Sequence, residues 1–112
     1  MKLIRNCFVS LGLVAMASAA LAQTNADAAR ALSERKMCLV CHKMIEEKSM
    51  GPSVRDMAKK YQDVSGAQAT VIARLRKGSK GVWGSMPMAP VSHEVTDDEL
   101  KTMVAWMLSP PR

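Results

Sequence analysis

The clearest periodic pattern in this 112-residue chain lies near its C-terminal end, where Leu100, Met103, Val104 and Met107 recur at spacings of three and four. That spacing puts them on one face of an α-helix. Thr96-Asp97-Asp98-Glu99 ahead of the stripe is a capping box with acidic residues on the positive helix end, and Ser109-Pro110-Pro111 stops the helix. A second helix is predicted after Pro52 from Val54, Met57, Ala58 and Tyr61. A third carries Val71, Ile72 and Leu75 inward, is capped by Ser65 to Gln68 and stops at Gly78. The first in the chain is predicted from about Ala26 into the segment Cys38 to His42, with Ala28, Ala31 and Leu32 on its inner face. No segment alternates as a strand does, so the pattern gives an all-α fold of about four helices. Between Gly78 and Pro90 the chain is too rich in Gly and Pro to be regular.

The N-terminal pattern is of another kind. Lys2 and Arg5 precede an apolar stretch from Cys7 to Ala17, and Ala20-Leu21-Ala22 then stands ahead of Gln23. This is the layout of a secretory signal, so residues 1–22 are expected to be cleaved and 23–112 to form a single domain; a cut after Ala19 fits the same rule. The apolar stretch is shorter than the roughly 20 residues of a membrane-spanning helix, and no stable membrane anchor is expected. Cleavage leaves Cys38 and Cys41 as the only thiols and Tyr61, Trp83 and Trp106 as the only aromatics. So thin a core in so small a domain calls for a staple or a large prosthetic group. Met37, Met44, Met57, Met103 and Met107 are adaptable enough to pack round an irregular flat one.

Cys38-Leu39-Val40-Cys41-His42 says which group that is, because C-x-x-C-H is the attachment motif of c-type haem. On a helix the two thiols share a face, so both reach one porphyrin while the adjacent imidazole of His42 reaches the iron. A zinc site is disfavoured, since three ligands within five residues of one helix crowd a tetrahedral ion. A thioredoxin-like role lacks the surrounding strand and helix alternation. The 78–90 loop offers a second iron ligand in a thioether, which suits the sixth position and raises the potential relative to a second imidazole. Met88, between Pro87 and Ala89-Pro90, and Met86 both compete for it, and spacing favours Met88 without deciding the matter. His93 reads as an exposed loop histidine rather than an iron or zinc ligand.

From Cys38 onward the chain resembles the small class I cytochromes c of bacterial respiratory chains, of the cytochrome c-551/c-552 type. The resemblance rests on the haem motif, Met50-Gly51-Pro52, Ile72 to Ser79, Gly81-Val82-Trp83-Gly84, Pro87-Met88 with Pro90, and Asp97-Asp98-Glu99 through Trp106. It implies the class I cytochrome c fold wrapped round one haem c, covalently held through Cys38 and Cys41. It further implies iron ligation by His42 and by Met88, the methionine directly after the proline, with Met86 left to packing. The carbonyl of Pro52 is expected to accept a hydrogen bond from the proximal imidazole, and Arg74 and Trp83 to bond the haem propionates. Haem attachment outside the cytoplasmic membrane agrees with the signal and implies a periplasmic protein. Two departures stand out: the family's aromatic on the first helix is replaced by Ser33, and the loop Val91-Ser92-His93-Glu94-Val95 is longer than the common form.

With both axial positions filled, the chain is expected to be a one-electron carrier and not an enzyme. The alternatives are a haem subunit held permanently by a periplasmic oxidoreductase, or an open sixth site for gas binding or peroxidase chemistry. The whole chain has 16 Lys and Arg against 10 Asp and Glu, and loss of Lys2 and Arg5 leaves 14 against 10. Lys36, Lys43, Lys77 and Lys80 flank the haem motif and the Met88 loop, and a positive rim there would steer acidic redox-partner proteins: a reductase, oxidase, peroxidase or dehydrogenase. Nucleic acid is not an expected partner in this compartment.

Overall fold

A computed structural model describes residues 2–45 and 49–110, with side chains described from Ser18 onward; the apolar stretch from Cys7 to Ala17 and Pro111 therefore lie outside the described side chains. The elements are α1 (Lys2–Arg35), α2 (Cys38–Cys41), α3 (Val54–Tyr61), α4 (Ala67–Lys77) and α5 (Asp97–Leu108). The described residues contain no strand beyond an isolated antiparallel bridge between Ser79 and Met88.

α5 is the frame on which the other helices rest. Its cap forms as predicted: Thr96 accepts from the Glu99 backbone N–H, and Glu99 accepts from the Thr96 N–H. Leu100, Met103, Val104 and Met107 are buried, as are Trp106 and Leu108. Trp106 and Met107 pack with Ala29 of α1 and Val54 of α3, and Val104 and Leu108 pack with Ala67 of α4. Burying a Leu or Met side chain stabilises by about 1.5–3 kcal/mol, so this single stripe organises most of the core.

α1 departs from expectation in extent and in phase. It begins at Lys2, far ahead of Ala26, because its Ala-rich sequence has high helix propensity and contains no proline. Residues 18–25 are exposed, however, and packing starts at Ala26, where the helix had been expected to begin. Ala29 and Ser33 are buried, Ala26 and the expected Ala31 and Leu32 are half-buried, and only Ala28 of the expected face is exposed. Alanines on several sides leave the phase open, and contact with α5 selects it. Ser33 is fully buried, and its hydroxyl donates to the Ala29 carbonyl at 2.9 Å. Small residues here meet an aromatic supplied by the other helix, Trp106.

Three further expectations are corrected. α1 does not run into the haem motif: it stops at Arg35, and Met37 takes a left-handed conformation (φ 63°) before the separate turn of α2. That turn points Met37 outward, 66 % exposed, so it is not a core filler. Met103 and Met107 are buried, and Met44 and Met57 pack half-buried against the core. Nor does Ser65 cap α4. Gly66, left-handed at φ 70°, occupies the cap position and no side chain bonds there, since the chain turns one residue later than a box from Ser65 requires. α3 is capped by Ser53, whose hydroxyl accepts from the Asp56 N–H at 3.1 Å.

Candidate haem site

Cys38 and Cys41 open and close the single turn of α2, with no disulfide between them. Both thiols are half-buried, and burial pushes the Cys38 thiol above its ordinary value, so it stays protonated at neutral pH. The segment after the motif is stitched back onto it. Gly51 N–H donates to the Cys41 carbonyl at 3.0 Å, Val54 N–H to Lys43 at 2.8 Å and Arg55 N–H to Met44 at 3.1 Å. The Ser49 hydroxyl also donates to the Cys41 carbonyl.

This stitching lays Gly51 and Pro52 against His42. Nδ1 of the imidazole lies 2.9 Å from the Pro52 carbonyl oxygen. A carbonyl only accepts, so Nδ1 carries a proton, and in the neutral ring Nε2 is the nitrogen with the lone pair. The ring also lies so close to Gly51 that a β-carbon there would come within 2.5 Å of Cε1 and 2.8 Å of Nδ1. Two free thiols, one imidazole with a fixed tautomer and a glycine that leaves room for its ring are the donor set a covalent haem needs. The residues present fit the group.

The 78–90 loop is irregular, as predicted, but its ends are tied. Ser79 and Met88 exchange both backbone hydrogen bonds, at 3.0 and 2.8 Å, and Val91 N–H donates to the Leu75 carbonyl at 2.8 Å. Gly78 at φ 84° permits this approach: a β-carbon there would lie 3.1 Å from the Met88 carbonyl oxygen. Met88 is half-buried, and Met86 is 66 % exposed. Residues 77–80 and 87–90 line an open groove of about 500 Å³.

The remaining expected site residues lie on the helices and loop nearby. Arg74 Nη1 donates to the Tyr61 hydroxyl at 2.9 Å, which ties α4 to α3. Trp83 is exposed, with the Lys60 ammonium 4.9 Å from its ring centroid, a cation–π contact. His93 is exposed. Of the four lysines placed on the rim, Lys36 is taken elsewhere: it pairs with Glu99 at 3.1 Å, joining the end of α1 to the start of α5. Lys43, Lys77 and Lys80 are exposed. Sequence reasoning named none of Gly51, Ser49, Tyr61 and Ser79 as a site residue. Only Gly51, directly before Pro52, carried a local signal, and its purpose is space rather than backbone conformation.

The family model described as "Cytochrome C oxidase, cbb3-type, subunit III" matches residues 24–107. Cytochrome c-551 of Pseudomonas aeruginosa is 42 % identical over 78 residues, covering 70 % of this chain and 72 % of that one. Cytochrome c-551 of Stutzerimonas stutzeri is 37 % identical over 109 residues, 97 % of this chain and 98 % of the other. The crystal structure of Nitrosomonas europaea cytochrome c552 superposes with a TM-score of 0.66 at 34 % identity, covering 73 % of this chain and 99 % of that one. The chain belongs to the small class I cytochromes c, of the c-551/c-552 type. It has their helical fold and carries one covalent haem c, for which Cys38 and Cys41 stand at the attachment spacing. It is an electron-transfer protein rather than an enzyme, and as a carrier it exchanges electrons with redox partners.

Proposed function

We propose that this cytochrome c is a periplasmic one-electron shuttle, released by cleavage of residues 1–22, whose iron is held by His42 and Met88. The observation that carries the reading is the fixing of Met88. Its backbone is bonded in both directions to Ser79 and its side chain is half-buried, whereas Met86 is exposed. Pro87 and Pro90 further restrict the chain on either side, so little conformational freedom remains to be lost on ligation. When bound, the haem supplies a reversible one-electron iron couple. With His42 and Met88 both holding the iron, no place would remain on it for a substrate, and the group would supply single-electron exchange alone.

On the proximal side Pro52 holds the His42 Nδ1 proton, which fixes the ring and strengthens its donation to iron. Arg74 and Trp83 are assigned to the propionates; the Arg74 guanidinium has donors left after its bond to Tyr61, and the Trp83 indole is exposed. Lys43, Lys77 and Lys80 form the rim that steers acidic partners, without Lys36. Among the described residues no helix is long and apolar enough to cross a membrane.

The far-red methionine-to-iron band of the oxidised protein tests the ligand set. Met88→Ala is expected to abolish it and lower the potential by on the order of a hundred millivolts. Met86→Leu, nearly volume-conserving at an exposed site, is expected to leave it intact. The opposite result refutes the assignment, and a wild-type protein without the band points to an open sixth position. The match over residues 24–107 to a family described as an oxidase subunit favours, as a second reading, a haem subunit held by one enzyme. Copurification of the native protein with a larger chain separates that from a free shuttle.

A further inference from the structure

Arg76, in the last turn of α4, spends its whole guanidinium on one short stretch of chain. Nε and Nη2 both donate to Oδ1 of Asp97, at 3.2 and 2.6 Å. Nη1 donates to the carbonyls of Ser92 at 3.1 Å and Val91 at 3.5 Å, and Nη2 to that of Val95 at 2.7 Å. Its side chain is 17 % exposed, whereas that of Asp97 is 75 % exposed. A side chain so occupied is not an ordinary surface charge. It gathers three carbonyls of the long 91–95 loop and the first residue of α5 onto the end of α4.

That loop is the exit of the segment carrying Met88. Its entry is held by the Ser79–Met88 bridge, and its exit begins at Val91, three residues beyond Met88. The Val91 N–H is bound by Leu75, the residue before Arg76, and its carbonyl faces Arg76 itself. Within the loop the bonds are local, Val95 N–H to the Ser92 carbonyl and Glu94 N–H to the Ser92 hydroxyl, so they shape the turn without anchoring it. The cross-link to the helical body is therefore the Val91–Leu75 bond together with the Arg76 guanidinium. A lysine has one donor centre in place of a planar fork and cannot serve these acceptors together.

We infer that Arg76 is a positioning residue for the sixth iron ligand: by clamping residues 91–97 it holds the Met88 segment closed over the iron and so limits displacement of the Met88 sulfur. This rests on Met88 being the ligand, as proposed above. The clamp works through the backbone, since Arg76 makes no hydrogen bond to Met88 itself among the described contacts.

The test uses haem-loaded protein and added imidazole as the competing ligand. Wild type, Arg76→Gln, Arg76→Lys and a core control, Val104→Ala, are titrated with imidazole in the oxidised state while the far-red band is followed. The same samples are unfolded in urea with the band and the helical circular dichroism recorded together. If the clamp positions the ligand, Arg76→Gln binds imidazole about tenfold or more tightly than wild type, as expected for the loss of hydrogen bonds to a charged group. Arg76→Lys should lie between, and both variants should lose the band at lower urea than their helices. Val104→Ala should lose band and helices together, with imidazole affinity unchanged. The inference is overturned if Arg76→Gln behaves like Val104→Ala. Absence of the band in the wild type would instead refute Met88 ligation, and the clamp with it, before any variant is compared.

Discussion

Gly51→Ala is the smallest change that should damage the seat of the His42 imidazole, and its size follows from distances. An alanine β-carbon would lie 2.5 Å from His42 Cε1, 2.8 Å from Nδ1 and 3.3 Å from Nε2. Carbon atoms pack best at about 3.5–4.0 Å, so ring and backbone must separate by about 1 Å. The backbone is poorly placed to yield, because Gly51 N–H is bonded to Cys41 and the following residues are stitched to Lys43 and Met44. The imidazole must therefore move, and a shift of about 1 Å takes Nδ1 from 2.9 Å to beyond hydrogen-bonding reach of Pro52. Losing that bond costs about 1 kcal/mol, and the overpacking about 1–3 kcal/mol more. The sum, about 2–4 kcal/mol, is a large share of the 5–15 kcal/mol typical of a domain and corresponds to a Tm lowered by about 10–30 °C. With less electron donation from the displaced imidazole, the midpoint potential should rise. Thermal unfolding followed at the Soret band and a redox titration of the haem-loaded variant supply both readings. A variant with wild-type Tm and potential would refute the view that Gly51 is kept small to seat the imidazole.

Charge steering by the lysine rim predicts that reduction of ferricyanide, an anionic oxidant, slows as ionic strength rises, and that Lys43→Glu or Lys80→Glu slows it further at low salt; a stopped-flow rate flat with salt would remove the steering. Acid stability should depend on the two carboxylates at the start of α5. The Arg76 guanidinium holds Asp97, and the Thr96 N–H and Lys36 ammonium hold Glu99, below their ordinary values of 3.8 and 4.5. Each binds a proton less readily folded than unfolded, so its contribution is complete above about pH 4.5 and is lost as pH falls through the lowered folded value. Urea midpoints measured from pH 6 to pH 3 should fall less steeply in Glu99→Gln than in wild type, and equal slopes would show that the cap does not titrate as described.

What the sequence made legible is what local patterns encode. The α5 stripe and its capping box were readable because both sides of each interaction lie within one or two helical turns, and the haem motif because all three of its reactive groups fall within five residues. The S-x-x-Q pattern at Ser65 misled, because Gly66 can enter a left-handed turn at little steric cost and so starts α4 without a side-chain cap. At Met37 the sequence offered no glycine or asparagine to announce a left-handed residue, and the break between α1 and α2 was invisible for that reason.

The contacts that turn a haem motif into a particular electron carrier are of the other kind. Pro52 on His42, Arg74 on Tyr61, Ser79 on Met88, Arg76 on the 91–97 segment and Lys36 on Glu99 join residues separated by 9 to 63 positions. Lys36 shows the consequence most plainly. Its place beside the motif put it on the docking rim, yet its ammonium is bound to a helix cap that the fold brings beside it. On the proposed rim the charge near the motif accordingly falls to Lys43, while Lys36 holds the end of α1 to the start of α5. A substitution at Lys36 should therefore alter stability more than ionic-strength dependence, whereas one at Lys43 should do the reverse. Two residues of the same charge seven positions apart are separated in role by tertiary contact alone.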